Sequence, residues 1–251
     1  MVARMGAFMI TLGGVYWWHY SMNGVFLIGL VLIGLVMVVW WRDLINEGLS
    51  GDQNIAFIRK IQVGVIIFIL SEVLFFLSFF WGFFHMCWSP GEELGVVWPP
   101  LNFEEIVIDP FRVPLLNTII LLSSGATVTA CHFYLLVREE KRIYNQGVFF
   151  LFLTVMLGFI FLALQVDEYA ERYISFNRTV YGSAFFILTG FHGLHVTIGA
   201  IALLVMLIRY ISGRMSVFEH VGFEASAWYW HFVDVVWLFL YIFVYWLGAP
   251  L

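Results

Sequence analysis

Seven apolar stretches, each 18 to 30 residues long, constrain the fold of this chain more than any other feature. They occupy residues 3–20, 24–41, 61–85, 114–137, 146–166, 181–210 and 225–246. A helix needs about 20 apolar residues to cross the hydrocarbon core of a bilayer. Short polar segments separate the stretches, such as SMN, REEKRIYN and DEYAERYISFNR. The chain therefore reads as an all-α membrane protein with seven transmembrane helices. Composition agrees: 12% of residues are charged, about half the usual share of a soluble domain. The opening MVARMGAFMITLGG has no A-x-A-like cleavage site, so it reads as the first helix rather than a signal peptide. Tyr16, Trp17, Trp18, Trp40, Trp41, Trp228 and Trp230 fall at stretch ends, where an aromatic belt belongs.

The basic residues orient the chain. With alternating crossings, Arg4, Arg42, Arg59, Lys60, Arg138, Lys141, Arg142, Arg209 and Arg214 fall on one side, and only Arg112, Arg172 and Arg178 on the other. The positive-inside rule places the N-terminus inside and the C-terminus outside. The outer loops are acidic, with Glu92, Glu93, Glu104, Glu105 and Asp109 in one, and Asp167, Glu168 and Glu171 at the other. No internal repeat points to a transporter of duplicated halves.

Several function classes are excluded by what the sequence lacks. Net charge is −5, which offers nothing to nucleic acid. A retinal protein needs a Schiff-base lysine in its last span, and residues 225–246 hold none. Seven scattered histidines do not supply the ligands of a haem–copper centre. Cys87 and Cys131 form no metal or disulfide framework. No catalytic residue, metal site or cofactor is expected in this chain.

Against that background the intramembrane polar residues stand out. Glu72 lies inside ILSEVLFFLSFFWGFF, with Phe68, Ile69, Phe75 and Phe76 one helical turn away. None of them can bond a carboxyl group, so any partner must come from another helix, water or lipid. An ionisable residue at this depth is a functional candidate, as a proton relay or ligand contact; a buried structural acid is the competing reading. In TGFHGLHVTIG, His192 and His195 share a helix face at i, i+3, suited to a metal or to bonds with a neighbouring helix. Structural packing is the favoured reading, with Gly190, Gly193 and Gly199 suggesting close helix approach. In the last stretch Asp234 has His231 at i−3, which reads as an interfacial structural pair. Asp167 and Glu168 read as a solvated helix end.

Seven motifs carry a family resemblance. HVGFEASAWYWHFVDVVWLFLY (220–241) and YGSAFFILTGFHGLHVTIG (181–199) resemble signatures of subunit III of cytochrome c oxidase. WWRD (40–43), SEVLFF (71–76), ELGVVWPP (93–100), VPLLNTIILLSSG (113–125) and LQVDEY (164–169) match in the same order. The resemblance implies seven helices with the N-terminus on the matrix or cytoplasmic side. Helices 1–2 (residues 1–55) would splay from the bundle of helices 3–7 (residues 56–251) around a lipid cleft. It further implies a non-redox subunit of the terminal oxidase, which reduces oxygen to water and pumps protons. Haem and copper would reside in partner subunits. Subunits I and II, accessory subunits and membrane lipids would be its partners, and the mitochondrial inner membrane its location, with a bacterial plasma membrane as the alternative.

At residue level, Glu72 matches the family's carbodiimide-reactive membrane carboxylate. Trp41, Arg42, Glu47, Arg209 and His220 match positions that contact lipid headgroups. Two departures matter. The family's usual His-Thr pair after WWRD is replaced by Gln53 and Asn54, and its frequent pair of adjacent histidines in the fourth span is reduced to His132, after Cys131. A free-standing proton or solute carrier using Glu72 and Asp234 is the second reading.

Overall fold

The structure is a computed structural model that describes residues 1–21, 23–50, 55–92, 95–98, 109–137, 141–170, 180–215 and 220–248. Expectations for Glu93, Glu104, Glu105, Gln53, Asn54, Arg138, Glu171, Arg172 and Arg178 fall outside the described residues. Seven α-helices follow one another: α1 (Val2–Tyr20), α2 (Gly24–Leu49), α3 (Ile55–Trp88), α4 (Val113–Leu136), α5 (Lys141–Ala170), α6 (Val180–Ile211) and α7 (Val221–Phe239). There is no strand among the described residues. Six helices, α2 to α7, are long and apolar enough to cross a membrane. The helix α1 forms over the first expected stretch but is not one of the six, its apolar run being diluted by Arg4, Thr11 and His19.

Helices overrun the apolar stretches where polar residues prolong them. α2 continues through Arg42, Asp43 and Glu47, and α3 begins six residues before the expected boundary at Ile61. α4 starts at Val113 with Pro114 in its first turn, where a missing N–H costs nothing. α7 runs into a π-helical turn, Leu240–Trp246, closed by the Leu247 N–H donating to the Ile242 carbonyl at 2.8 Å.

The chain divides into two compact units, Met1–Ile58 and Arg59–Leu251. In the first, α1 and α2 form an antiparallel hairpin built on glycine. A Cβ at Gly13 would collide with the backbone of Phe26, and one at Gly29 would crowd the Ile10 nitrogen. Backbones this close gain dispersion contacts that lipid cannot supply to bulkier residues.

In the second unit α3 to α7 alternate in direction. One end gathers Gln62 and Glu224, joined by a 2.8 Å hydrogen bond, with His132, Tyr144 and the Tyr210 carbonyl. The opposite end gathers Phe83, Trp98 and Tyr181 with Gln165, Glu168 and Tyr245. The core lies between α4, α5, α6 and α7, around the indoles of Trp230 and Trp237. Trp230 Nε1–H donates to Ser124 Oγ at 2.8 Å, and Trp237 Nε1–H donates to Thr118 Oγ1 at 2.9 Å. Each hydroxyl passes its own proton to α4 backbone, to Leu121 and Pro114 respectively, so both ends of each bond are satisfied.

Three sequence expectations are corrected here. Trp230 is not a belt residue: it is 0% exposed, and its ring rests where Gly158 and Gly199 omit a side chain. Gly199 thus supports close packing, whereas Gly190 and Gly193 have open space where a Cβ would be. Glu168 is not a solvated helix end. It is 2% exposed, and its Oε2 accepts from Gln165 Nε2 at 3.1 Å and from the Tyr245 hydroxyl at 3.2 Å.

Candidate functional site

α3 presents Glu72 to α6. Its Oε2 lies 2.8 Å from His195 Nε2. The other imidazole nitrogen, Nδ1, lies 2.7 Å from the Phe191 carbonyl oxygen one turn back on α6. A carbonyl only accepts, so Nδ1 carries a proton and donates it. Nε2 and Oε2 at hydrogen-bond distance then share a second proton, held by one atom or the other. The pair therefore holds one proton between two helices with no net charge in either arrangement. That removes the large cost of an isolated charge at membrane depth.

The surroundings are aromatic. The His195 ring meets Phe76 edge-on at 4.9 Å between centroids, with Phe75, Tyr229 and Phe232 within 6.4 Å. Phe68 stacks on Tyr229 at 6.2 Å. Side-chain exposure is 21% for Glu72 and 9% for His195, so the carboxyl retains an opening that the imidazole lacks.

His192 does not join this pair. Residues three apart on a helix point about 60° apart around its axis, enough to face different neighbours. His192 Nε2–H donates to the Val233 carbonyl of α7 at 3.2 Å, and its ring packs on Phe161 and Trp237. The expected shared face therefore divides between α3 and α7. Both histidines bond neighbouring helices.

Asp234 and His231 approach one another at 3.6 Å between Oδ2 and Nδ1, close enough for an ion pair and too long for a good hydrogen bond. His231 Nε2 sits 3.2 Å from Thr129 Oγ1, whose hydroxyl donates to the Gly125 carbonyl at 3.0 Å. The Asp234 carboxyl fills the space left by the missing side chain of Gly125. Among the described residues no hydrogen bond connects this group to Glu72.

The residues matched to lipid contacts lie in the C-terminal third of α2, near the end of α6 and at the start of α7. Trp41 and Glu47 are exposed on α2, and Arg42 forms an exposed ion pair with Asp43 at 3.0 Å. Arg209 is half-buried near the end of α6, donating to the Arg214 carbonyl at 3.4 Å. His220 caps α7, and its Nε2 lies 3.4 Å from Glu224 Oε1. His132 joins them from α4, 4.0 Å from the same carboxylate oxygen. Sequence reasoning named His132 only as a departure from the family and missed Glu224; the two lie 92 residues apart and share no motif.

A bundle of membrane-length helices, closed by indole–hydroxyl bonds and carrying a self-neutralising acid–imidazole pair, defines an integral membrane protein with intramembrane protonatable groups. The sequence profile described as Cytochrome c oxidase subunit III matches residues 1–249. Relatives include the cytochrome c oxidase subunit 3 of Aedes aegypti, 49% identical over 99% of this chain and 93% of the relative. The protein of the same name from Carassius auratus is 47% identical over 99% of this chain and 94% of the relative. That of Drosophila melanogaster is 48% identical over 99% and 93%. The chain belongs to the cytochrome c oxidase subunit III family, and with it to an oxidoreductase complex of the membrane.

Proposed function

We propose that this chain is a non-redox subunit of the terminal oxidase in the mitochondrial inner membrane, with its N-terminus in the matrix. It binds subunits I and II and accessory subunits, the haem and copper residing in partner subunits. It retains phospholipids and sustains proton uptake and turnover lifetime, with no catalytic centre of its own. Family membership supports the assignment to the oxidase. The excess of basic residues on the N-terminal side supports the orientation.

The single observation that carries the supporting role is the Glu72–His195 bond. The acid has a partner inside the same chain, which supports a role in tying helices together and holding a proton. It can still relocate its one proton, or release it through the exposed part of Glu72, so it serves as a buffered neighbour of a proton path rather than as a redox participant. The apolar outer face of α3, with Val63, Ile66, Ile67, Leu70, Val73 and Leu77 exposed, offers surface for lipid or for a partner subunit. Trp41, Arg42, Glu47, Arg209 and His220 are proposed to meet headgroups. Arg209 is chemically apt because a guanidinium grips phosphate through two parallel bonds.

The test is extraction of the complex in mild detergent, with its subunit list and spectrum. This chain is expected with haem-bearing subunits and, once separated, without haem absorbance. One haem per isolated chain would contradict the proposal. The carrier reading gains nothing from the fold, since Glu72 and Asp234 belong to separate bonded groups.

A further inference from the structure

We propose that His132, His220 and Glu224 form a divalent-cation site of the zinc type at the end of the α3–α7 bundle where α3 and α7 begin. One imidazole nitrogen from each of His132 and His220 and one Glu224 oxygen all lie within 4.8 Å of one another. The two separations to Glu224 Oε1 are 3.4 Å from His220 and 4.0 Å from His132. In a tetrahedral zinc site with bonds of about 2.0–2.1 Å, ligand atoms stand about 3.3 Å apart. Small side-chain rotations bring the set to that spacing.

Two features separate this group from a chance meeting of polar residues. Glu224 Oε2 accepts from Gln62 Nε2 of α3 at 2.8 Å. That bond orients the carboxylate and leaves Oε1 for the cation, as outer partners do at metal sites. His132 Nε2 is buried and makes no hydrogen bond among the described residues. In the competing arrangement, a protonated His220 paired with Glu224, this nitrogen stays without a bond. A cation uses all three atoms.

Ligand chemistry selects the metal. Two imidazoles and one carboxylate suit zinc and its first-row neighbours, whereas magnesium and calcium prefer all-oxygen sets. Three protein ligands leave a fourth position for water or another oxygen donor. Two opposing charges are present: the positive end of the α7 dipole, and Arg209, whose Nη1 would stand 3.3 Å from a Cβ at Gly222. Both weaken a hard cation held by charge alone more than one held by imidazole nitrogens.

The test uses the intact oxidase. The complex is stripped with chelator, loaded with Zn²⁺ and desalted. Crystals are then measured at the zinc edge, and zinc content is measured for wild type, His132→Gln and Glu224→Gln. The expected result is an anomalous peak within bonding distance, about 2.1 Å, of the three atoms, and one zinc fewer per complex in each variant. A wild-type map without that peak overturns the proposal. Equal zinc content in wild type and correctly assembled variants also overturns it. The wild-type map decides even where a variant fails to assemble.

Discussion

Glu72 on α3 and His195 on α6, 123 residues apart, meet at 2.8 Å, while the far side of the imidazole is fixed by the Phe191 carbonyl. The bond ties the α3 helix to the rest of its unit at a point lined by aromatic rings. Its direction is fixed from behind: because Nδ1 must donate, Nε2 must share the proton with the acid.

Replacing Glu72 tests that reasoning. An amide N–H of Glu72→Gln can donate to the Nε2 lone pair, so this variant keeps the bond. Glu72→Leu leaves Nε2 buried and unpaired, which costs about 1–3 kcal/mol. Heating the complex in detergent and following release of this chain should show Gln near wild type and Leu dissociating earlier. Equal behaviour of the two would count against the bond.

The indole pair makes a second prediction. Trp230→Phe removes the donor to Ser124 but keeps most of the ring, at a cost of about 0.5–1.5 kcal/mol. Trp230→Ala opens a cavity against Gly158 and Gly199 and costs about 3–5 kcal/mol. The amount of this chain recovered in assembled complex should fall slightly for the first and severely for the second. If Trp230→Ala were harmless, the placement of this ring at the core would be wrong.

Helix positions were legible in the sequence because lipid-length apolar runs admit one solution, and the family was legible in ordered motifs. Partners were not. That Glu72 needed a partner followed from its neighbours, but His195 could not be singled out, because helical spacing says nothing of which helix stands opposite. The same gap hid the approach of His132 to Glu224, and made Glu168 read as solvated, since Gln165 and Tyr245 reach it from within the bundle. Trp230 misled for a related reason: an indole near a span end suits an aromatic belt until a hydroxyl and two glycines on other helices claim it.

Orientation yields a third prediction. With the N-terminus inside, Arg214 lies in the α6–α7 connection on the matrix side. Trypsin added to mitoplasts should leave that site intact, and trypsin added to inverted inner-membrane vesicles should cut it. The reverse pattern would overturn the orientation.

The most direct test of the central claim, a supporting subunit whose membrane acid takes no part in oxygen chemistry, is the rate record of Glu72→Gln in a complex with all subunits and haems present. Initial oxygen consumption should stay close to wild type, with the deficit in proton uptake or in the number of turnovers before activity decays. Immediate, near-complete loss of oxygen reduction would contradict the account and make Glu72 directly catalytic.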